Sequence, residues 1–196
     1  MNKIILDKKK IIDLYIENDS ICNIGKDYDI EVINIKILDN IKFVINHYSE
    51  IISNRSIKIN IEQNNNSEFI YNCSFINEKK YDVNINVNMC GDNSKNSINI
   101  KGISNSGISN IVIDGSVCSN TIDNELYESI KMLNIMDGKS NILPNMYINT
   151  KNVVANHAAS VTNINEEYLF YLNSKGISDS VASTLIIDGF LENSAR

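Results

Sequence analysis

The stretch Tyr81–Met89, YDVNINVNM, decides the fold because its apolar and polar residues alternate strictly. Alternation with a period of two places successive side chains on opposite faces of an extended chain, as in a half-buried β-strand. One face is apolar and the other holds asparagines. The apolar face consists of Val83, Ile85, Val87 and Met89, and the polar face of Asn84, Asn86 and Asn88.

Similar short segments recur along the chain and predict an all-β body that extends to about Val161. The segments are separated by residues that are common in turns (Asn, Asp, Gly and Ser) and not by helices. A sandwich and a solenoid both fit this pattern, but the repetitive strand faces and the scarcity of proline favour a β-helix. The segments are IEVINIKIL, SIKINIE, NSINIKGI, SNIVIDGSV and NMYINTKNVVAN.

After Val161 the two-residue alternation of apolar side chains gives way to helical spacing, which predicts two short helices. Asn165 is a candidate N-cap for the first, with Glu166 and Glu167 in its first turn, and Gly176 is expected to end it. The domain boundaries expected from this change are a β-helix core at 1–161 and a helical segment at 162–196.

The second helix is expected to begin after Ser178, a candidate N-cap followed by Asp179. Val181, Ala182, Leu185 and Ile186 form its apolar stripe. Gly189 is expected to stop it.

Composition excludes several classes of function. The chain has 196 residues, 43% of them hydrophobic, which suffices for one substantial core. A net charge of −6 with only 18 basic residues argues against a protein that binds nucleic-acid phosphates. No stretch approaches the ~20 apolar residues that a membrane span needs, so we expect no membrane partner and a cytoplasmic location.

The four cysteines stand far apart, without a C-x-x-C pair or a Cys/His cluster. We therefore expect buried, apolar cysteines and no disulfide framework. His47 is expected near a strand-to-turn junction, as a surface or hydrogen-bonded residue and not as a ligand. The cysteines are Cys22, Cys73, Cys90 and Cys118.

Sequence motifs for ATP hydrolysis, zinc peptidases and serine hydrolases do not occur, so we expect none of these three activities. The main rival is a β-helix carbohydrate-active enzyme, which needs paired acids on one coil face. Asp114, Asp123 and Glu125 are close in sequence, but we expect them at turn-like positions where acids bond the backbone. A third alternative is a structural remnant that only stabilises a complex.

The C-terminal sequence VVANHAASVTNINEEYLFYLNSKGISDSVASTLIIDGF, preceded by LPNMYINTKN, resembles the SufB/SufD family of iron-sulfur cluster assembly proteins. The resemblance is firm over Leu133 to Phe190 and extends back to about Tyr81. The matching elements, in order, are Pro144, His157 with Ala159 and Ser160, Leu169 to Leu172, Lys175 with Gly176 and Ile177, and Gly189 with Phe190.

The resemblance implies a right-handed parallel β-helix followed by a C-terminal helical domain. It implies a non-catalytic assembly component that pairs through its β-helix with a SufB-like protein or with itself. It also implies that the helices bind a SufC-like ABC-type ATPase, although they could instead only cap the open solenoid. The expected partner-binding residues are Leu169, Phe170, Leu172, Lys175, Gly176, Leu185, Ile186 and Phe190.

His157 matches the family's histidine, which the resemblance links to iron acquisition or to holding the nascent cluster. The alternative is an imidazole whose nitrogens are satisfied by backbone. The family's SufB-like members carry a cysteine before the Pro-led strand, and Ser129 to Pro144 contain none. Either Cys118 substitutes for it, or the chain is a SufD-like partner, which we favour. We expect no tightly bound cofactor on the chain alone, and transient iron or an iron-sulfur cluster in the complex.

Overall fold

A computed structural model describes residues 1–164 and 166–192, and this part of the chain forms thirteen β-strands followed by two α-helices. The strands are β1 Asn2–Ile4, β2 Ile11–Ile16, β3 Ser20–Ile24, β4 Val32–Ile37, β5 Lys42–Ile51, β6 Arg55–Gln63, β7 Glu68–Asn77, β8 Lys80–Met89, β9 Lys95–Asn105, β10 Ile108–Val117, β11 Asn124–Ile135, β12 Lys139–Ile148 and β13 Val153–Asn163. The helices are α1 Glu166–Ser174 and α2 Asp179–Glu192.

The strands alternate between two parallel sheets. The odd-numbered strands form a seven-stranded sheet in the order β1-β3-β5-β7-β9-β11-β13, and the even-numbered strands form a six-stranded sheet from β2 to β12. Each strand therefore pairs with the strand two places along the chain, always in parallel. This topology is a β-solenoid, so the predicted β-helix is confirmed and the sandwich alternative is wrong.

Isoleucine columns fill the interior because the register repeats from coil to coil. Ile33 pairs with Ile59, Ile59 with Ile85, and Ile85 with Ile113. All four side chains are buried. Burial of aligned branched side chains supplies most of the stabilising free energy of such a stack.

Asparagine ladders run along the outer face, beside the isoleucine columns. Asn60 donates a side-chain hydrogen bond to Asn34 Oδ1 at 2.7 Å, and Asn86 donates one to Asn60 Oδ1 at 2.8 Å. Each amide thus connects neighbouring coils. The asparagine-rich face predicted from Tyr81–Met89 is confirmed and has a structural role.

Helix α1 ends at Ser174, and Gly176 follows with a positive φ of 82°. The Ile177 amide donates to the Leu172 carbonyl at 3.2 Å, as expected where a glycine terminates a helix. The predicted end at Gly176 is confirmed, whereas the proposed cap Asn165 lies outside the described residues.

The predicted stop at Gly189 is wrong, because α2 continues to Glu192. A single glycine lowers helix stability by only about 1 kcal/mol, which tertiary packing readily offsets. Phe190 and Leu191 beyond it are half-buried, and the Phe190 carbonyl accepts a hydrogen bond from Lys101 Nζ at 3.4 Å. These contacts hold the last turn against β9.

Candidate functional site

The last coil leaves one end of the solenoid uncovered. Strands β12 and β13 stand at the edges of their sheets and pair only with β10 and β11, respectively. From Asn156 to Asn163 every residue of β13 is exposed. Within the described part of the chain, no further strand covers this end.

His157 lies in the middle of β13 and is in register with Glu128 of β11. Paired residues of parallel strands point to the same sheet face. Leu126 and Ile130, which flank Glu128 at alternate positions, are fully buried, so this face is the interior one. His157 therefore lies on the interior row but remains exposed, because its strand is the last of the sheet.

Glu128 is the unexpected residue at this end. Its side chain is only 2% exposed, and neither carboxylate oxygen has a hydrogen-bond partner among the described residues. Burial raises the pKa of Glu128 to about 7, and the charge of Asp114 acts in the same direction. The carboxylate reaches across the interior to β10, where its Oε1 lies 2.6 Å from the position that a Cβ on Gly115 would occupy.

The sequence itself carries a signal for Glu128. From Leu126 to Met132 the even-numbered positions are apolar except for Glu128, which stands between Leu126 and Ile130. A charged residue on an interior row is a marker of function or of a buried pair.

The cysteines divide into two pairs. Cys22 and Cys73 are free and buried, as predicted. The expectation for the other two is wrong: Cys90 and Cys118 form a disulfide between neighbouring coils, with their Cα atoms 4.9 Å apart. They follow β8 and β10, whose strands are in register up to Met89 and Val117, and this register places them side by side.

Cys118 is not brought to His157. Its sulfur is bonded to Cys90 and lies 3.4 Å from Asn88 Oδ1, at the turn that follows β10. His157 stands in the other sheet, in the middle of β13. The two candidate cluster-related residues therefore do not form one site in this chain.

His47 lies within β5 and not at a strand-to-turn junction, so its predicted position is wrong. The predicted hydrogen bonding is confirmed: Nδ1 lies 2.7 Å from the Tyr71 hydroxyl and Nε2 lies 2.6 Å from Ser49 Oγ. Burial lowers the pKa of His47 to about 4, with a further contribution from the charge of Arg55. A buried neutral imidazole with both nitrogens engaged is a core residue.

The acids that suggested a carbohydrate-active enzyme are engaged elsewhere. Asp114 lies within β10 and not in a turn, and it accepts a hydrogen bond from Asn145 at 2.9 Å. Glu125 lies within β11, also not in a turn, and forms an ion pair with Lys95 at 2.8 Å. Asp123 does occupy a turn-like backbone conformation, with φ of 55°.

Of the eight residues expected to bind a partner, four are exposed and four are half-buried. Phe170 is 76% exposed and Leu185 is 51% exposed. Lys175 and Gly176 are exposed as well, and the Lys175 ammonium lies 5.5 Å from the centre of the Tyr171 ring. The remaining four are half-buried: Leu169, Leu172, Ile186 and Phe190.

The described residues contain neither a cluster of three or more metal-ligating side chains nor a membrane-spanning helix. No set of three or more His, Cys, Asp and Glu side chains in residues 1–164 and 166–192 is arranged to hold a metal ion. Neither helix in that part of the chain has the length and apolar character needed to cross a membrane.

Comparison with known proteins agrees with the fold and the C-terminal motif. Residues 40–190 match the family described as SUF system FeS cluster assembly, SufBD core domain. A segment of 60 residues, 30% of this chain, is 43% identical to the iron-sulfur cluster assembly protein SufB of Bacillus subtilis and covers 13% of it. Segments of 56 residues, 29% of this chain, are 38% identical to SufBD family proteins of Staphylococcus saprophyticus and Staphylococcus haemolyticus and cover 12% of each. The alignments thus span about an eighth of these relatives, but the family match covers most of this chain, which therefore belongs to the SufBD core-domain family of the SUF system.

Proposed function

We propose that this chain is a SufD-like, non-catalytic component of a SUF-type iron-sulfur cluster assembly complex, and that α1 and α2 bind a SufC-like ABC-type ATPase. The family match, which reaches residue 190 and so extends into α2, supports a role in this system. The exposed apolar surface of the two helices supports the ATPase as the partner.

That surface is the observation on which the proposal rests. On α1, Tyr168, Phe170 and Tyr171 are 66%, 76% and 59% exposed. On α2, Val181 and Leu185 are exposed. Several exposed aromatic and aliphatic side chains on one pair of helices are typical of protein-protein interfaces.

Capping the solenoid is the alternative role for the helices, and the two roles use different faces. Ala182 of α2 is completely buried, and Lys101 of β9 bonds the Phe190 carbonyl at 3.4 Å. One face of α2 thus contacts the solenoid while Val181 and Leu185 remain exposed. A helix pair with one packed face and one exposed apolar face is suited to dock a second protein.

Co-purification tests the ATPase proposal. The chain is co-expressed with the SufC-like ATPase of the same organism, as wild type and as Phe170→Ser and Leu185→Ser variants. Tyr15→Ser is the matched control, because Tyr15 is a 71% exposed aromatic residue of β2 near the opposite end of the solenoid. We expect the two helix variants to lose the ATPase and the control to retain it; retention by all three would refute the proposal.

We further propose that the uncovered end of the solenoid pairs with the β-helix of a SufB-like protein or with a second copy of this chain. Among the described strands only β11 pairs with β13, so β13 has an open edge along its eleven residues, and such an edge readily accepts another strand. From His157 onwards the interior row of β13 is exposed, including Val161 at 47%. A paired coil would cover both the edge and this row.

Light scattering after size exclusion tests this second interface, with the chain alone and with the SufB-like protein. We expect Val161→Lys to abolish the assembly that the wild type forms. Ile11→Lys is the control, since Ile11 is an exposed aliphatic residue of β2. Monomeric wild type in both samples would refute pairing at this end.

The cluster itself is proposed to form only in the complex, with His157 contributing a ligand or an entry point for iron. Cys22 and Cys73 are buried and Cys90 is bonded to Cys118, so we propose that another chain supplies the thiolates for the cluster. Anaerobic reconstitution with iron and sulfide tests this, with and without the SufB-like protein. A stable cluster on the isolated chain, or full assembly with His157→Ala, would contradict it.

A further inference from the structure

A buried carboxylate without a partner lies one coil beneath the uncovered end of the solenoid. Glu128 is 2% exposed, and both of its oxygens lack hydrogen-bond partners among the described residues. Removing an ionised carboxylate from water costs several kcal/mol unless a cation or hydrogen-bond donors compensate. The carboxylate of Glu128 must therefore be neutralised, either by a bound cation or by a proton.

His157 is the register neighbour of Glu128 on the next strand. Glu128 and His157 are register partners on adjacent parallel strands, whose spacing is about 4.8 Å. Both lie on the interior row of their strands, so the two side chains rise from the same sheet face. His157 is exposed at the opening while Glu128 lies one strand deeper.

The surroundings of the pair leave room for a small ion. Gly115 faces Glu128 from the opposite sheet, and a side chain there would collide with Oε1. The interior-row neighbours of His157 on β13 are Ala155 and Ala159, which are the smallest residues with a side chain. The space beside the carboxylate and the imidazole is thus not filled by bulky groups from these three positions.

We propose that Glu128 and His157 together bind one divalent transition-metal ion, ferrous iron in the working protein. This inference rests on the proposed role in cluster assembly, since that role supplies the identity of the metal. A carboxylate oxygen and an imidazole nitrogen are a donor set that suits Fe²⁺ and its analogue Co²⁺. The cation would compensate the charge of Glu128, whose carboxylate has no hydrogen-bond partner among the described residues.

A site with two protein ligands is expected to hold iron weakly. Affinity requires several converging ligands, and solvent or a partner protein must fill the remaining coordination positions. Weak binding at an open end fits the delivery of iron to a forming cluster and not its storage. The chain alone should therefore bind the ion reversibly, without sulfide.

Calorimetry of the full chain tests the proposal, with ferrous ammonium sulfate added anaerobically and cobalt(II) chloride as a spectroscopic probe. We expect one ion per chain and, for cobalt, a visible absorption band that shifts when the imidazole is bound. Glu128→Gln and His157→Ala should each weaken binding at least about tenfold. Circular dichroism confirms that each variant folds.

Glu125→Gln is the matched control. Glu125 belongs to the same strand, β11, but lies on the outer face and pairs with Lys95 at 2.8 Å. Its substitution removes the same charge as Glu128→Gln, so metal affinity should stay unchanged. Equal weakening by both substitutions would mean that only net charge attracts the ion and would overturn the proposal.

Two further outcomes separate this inference from the proposed function. If the wild type binds neither ion, or Glu128→Gln binds as well as wild type, the metal site is wrong even where the ATPase co-purifies. If the ion binds as described but the ATPase does not co-purify, the metal site stands and the ATPase proposal fails.

Discussion

Gly115 of β10 provides the space that the carboxylate of Glu128 on β11 occupies. A Cβ at position 115 would lie 2.6 Å from Glu128 Oε1 and 2.7 Å from Leu126 Cδ2. Both distances are well below van der Waals contact. The interior therefore has no room for a side chain at position 115.

Gly115→Ala should destabilise the protein by about 1 to 3 kcal/mol, since the added methyl group overpacks the interior. Chemical denaturation measures the change in the free energy of unfolding. Gly25→Ala is the control, because nothing lies within 4 Å of a Cβ built there. Similar stability of both variants and the wild type would show that the interior accommodates the methyl group.

Glu128 should make stability fall as pH rises. Its folded-state pKa of about 7 exceeds the ordinary value of 4.5, so the folded protein binds the proton more tightly than the unfolded chain. Its stabilising effect is complete below pH 4.5 and is lost as pH rises towards 7. The loss amounts to about 3 kcal/mol by linkage.

The pH effect is measured as the difference between wild type and Glu128→Gln. The difference is needed because His47 has the opposite effect. Its pKa is lowered to about 4, so its contribution to the stability of the protein is lost as pH falls below 6.5. Burial is the main cause of the raised pKa of Glu128, and Asp114 is the charged neighbour that raises it further. Parallel stability curves for the two proteins between pH 4.5 and 7 would contradict the prediction.

Asn60→Ala should lower the free energy of unfolding by about 1 to 2 kcal/mol. Asn60 is the middle member of the outer ladder, donating to Asn34 and accepting from Asn86, so its removal costs two hydrogen bonds. Asn84→Ala is the control, as Asn84 is an exposed asparagine on the same face of β8. Equal urea midpoints for the two variants would mean that the hydrogen bonds of the ladder do not add to the stability of the protein.

Reductant should lower the thermal stability of the wild type. The disulfide joins Cys90 and Cys118 across a sequence separation of 28 residues, and closing a loop of that length stabilises by about 3 to 4 kcal/mol in the chain-entropy model. Calorimetry with and without dithiothreitol measures the shift. Cys90→Ser should match the reduced wild type and not respond to reductant; a wild type that ignores dithiothreitol would contradict the prediction.

The strands could be predicted from the sequence because interior and exterior rows alternate within each segment. Tyr81–Met89 predicted its own strand, which the structure gives as Lys80–Met89. Alternation within a strand does not show which strand lies beside it. Parallel stacking therefore followed from the resemblance of the C-terminal motif, and local periodicity alone left a sandwich open.

The disulfide and the buried carboxylate were missed for the same physical reason. Cys90 and Cys118 meet only because β8 and β10 share a register that places residues 28 apart side by side. Glu128 indicates a candidate binding site only together with His157, which lies 29 residues later in the sequence but is its neighbour on the adjacent strand. Such neighbours depend on coil length, which must be known before residues of successive coils can be aligned.

The edge position of β13 makes the end of the stack the place where unfolding begins. Each strand is held by its neighbours in its sheet, and β13 has only one of them. In a one-dimensional stack of coils the terminal coil unfolds locally first, whereas the central coils unfold only when the whole protein unfolds. A protein that binds to β13 would therefore also hold this strand, and His157 with it, in the conformation that the interior coils impose.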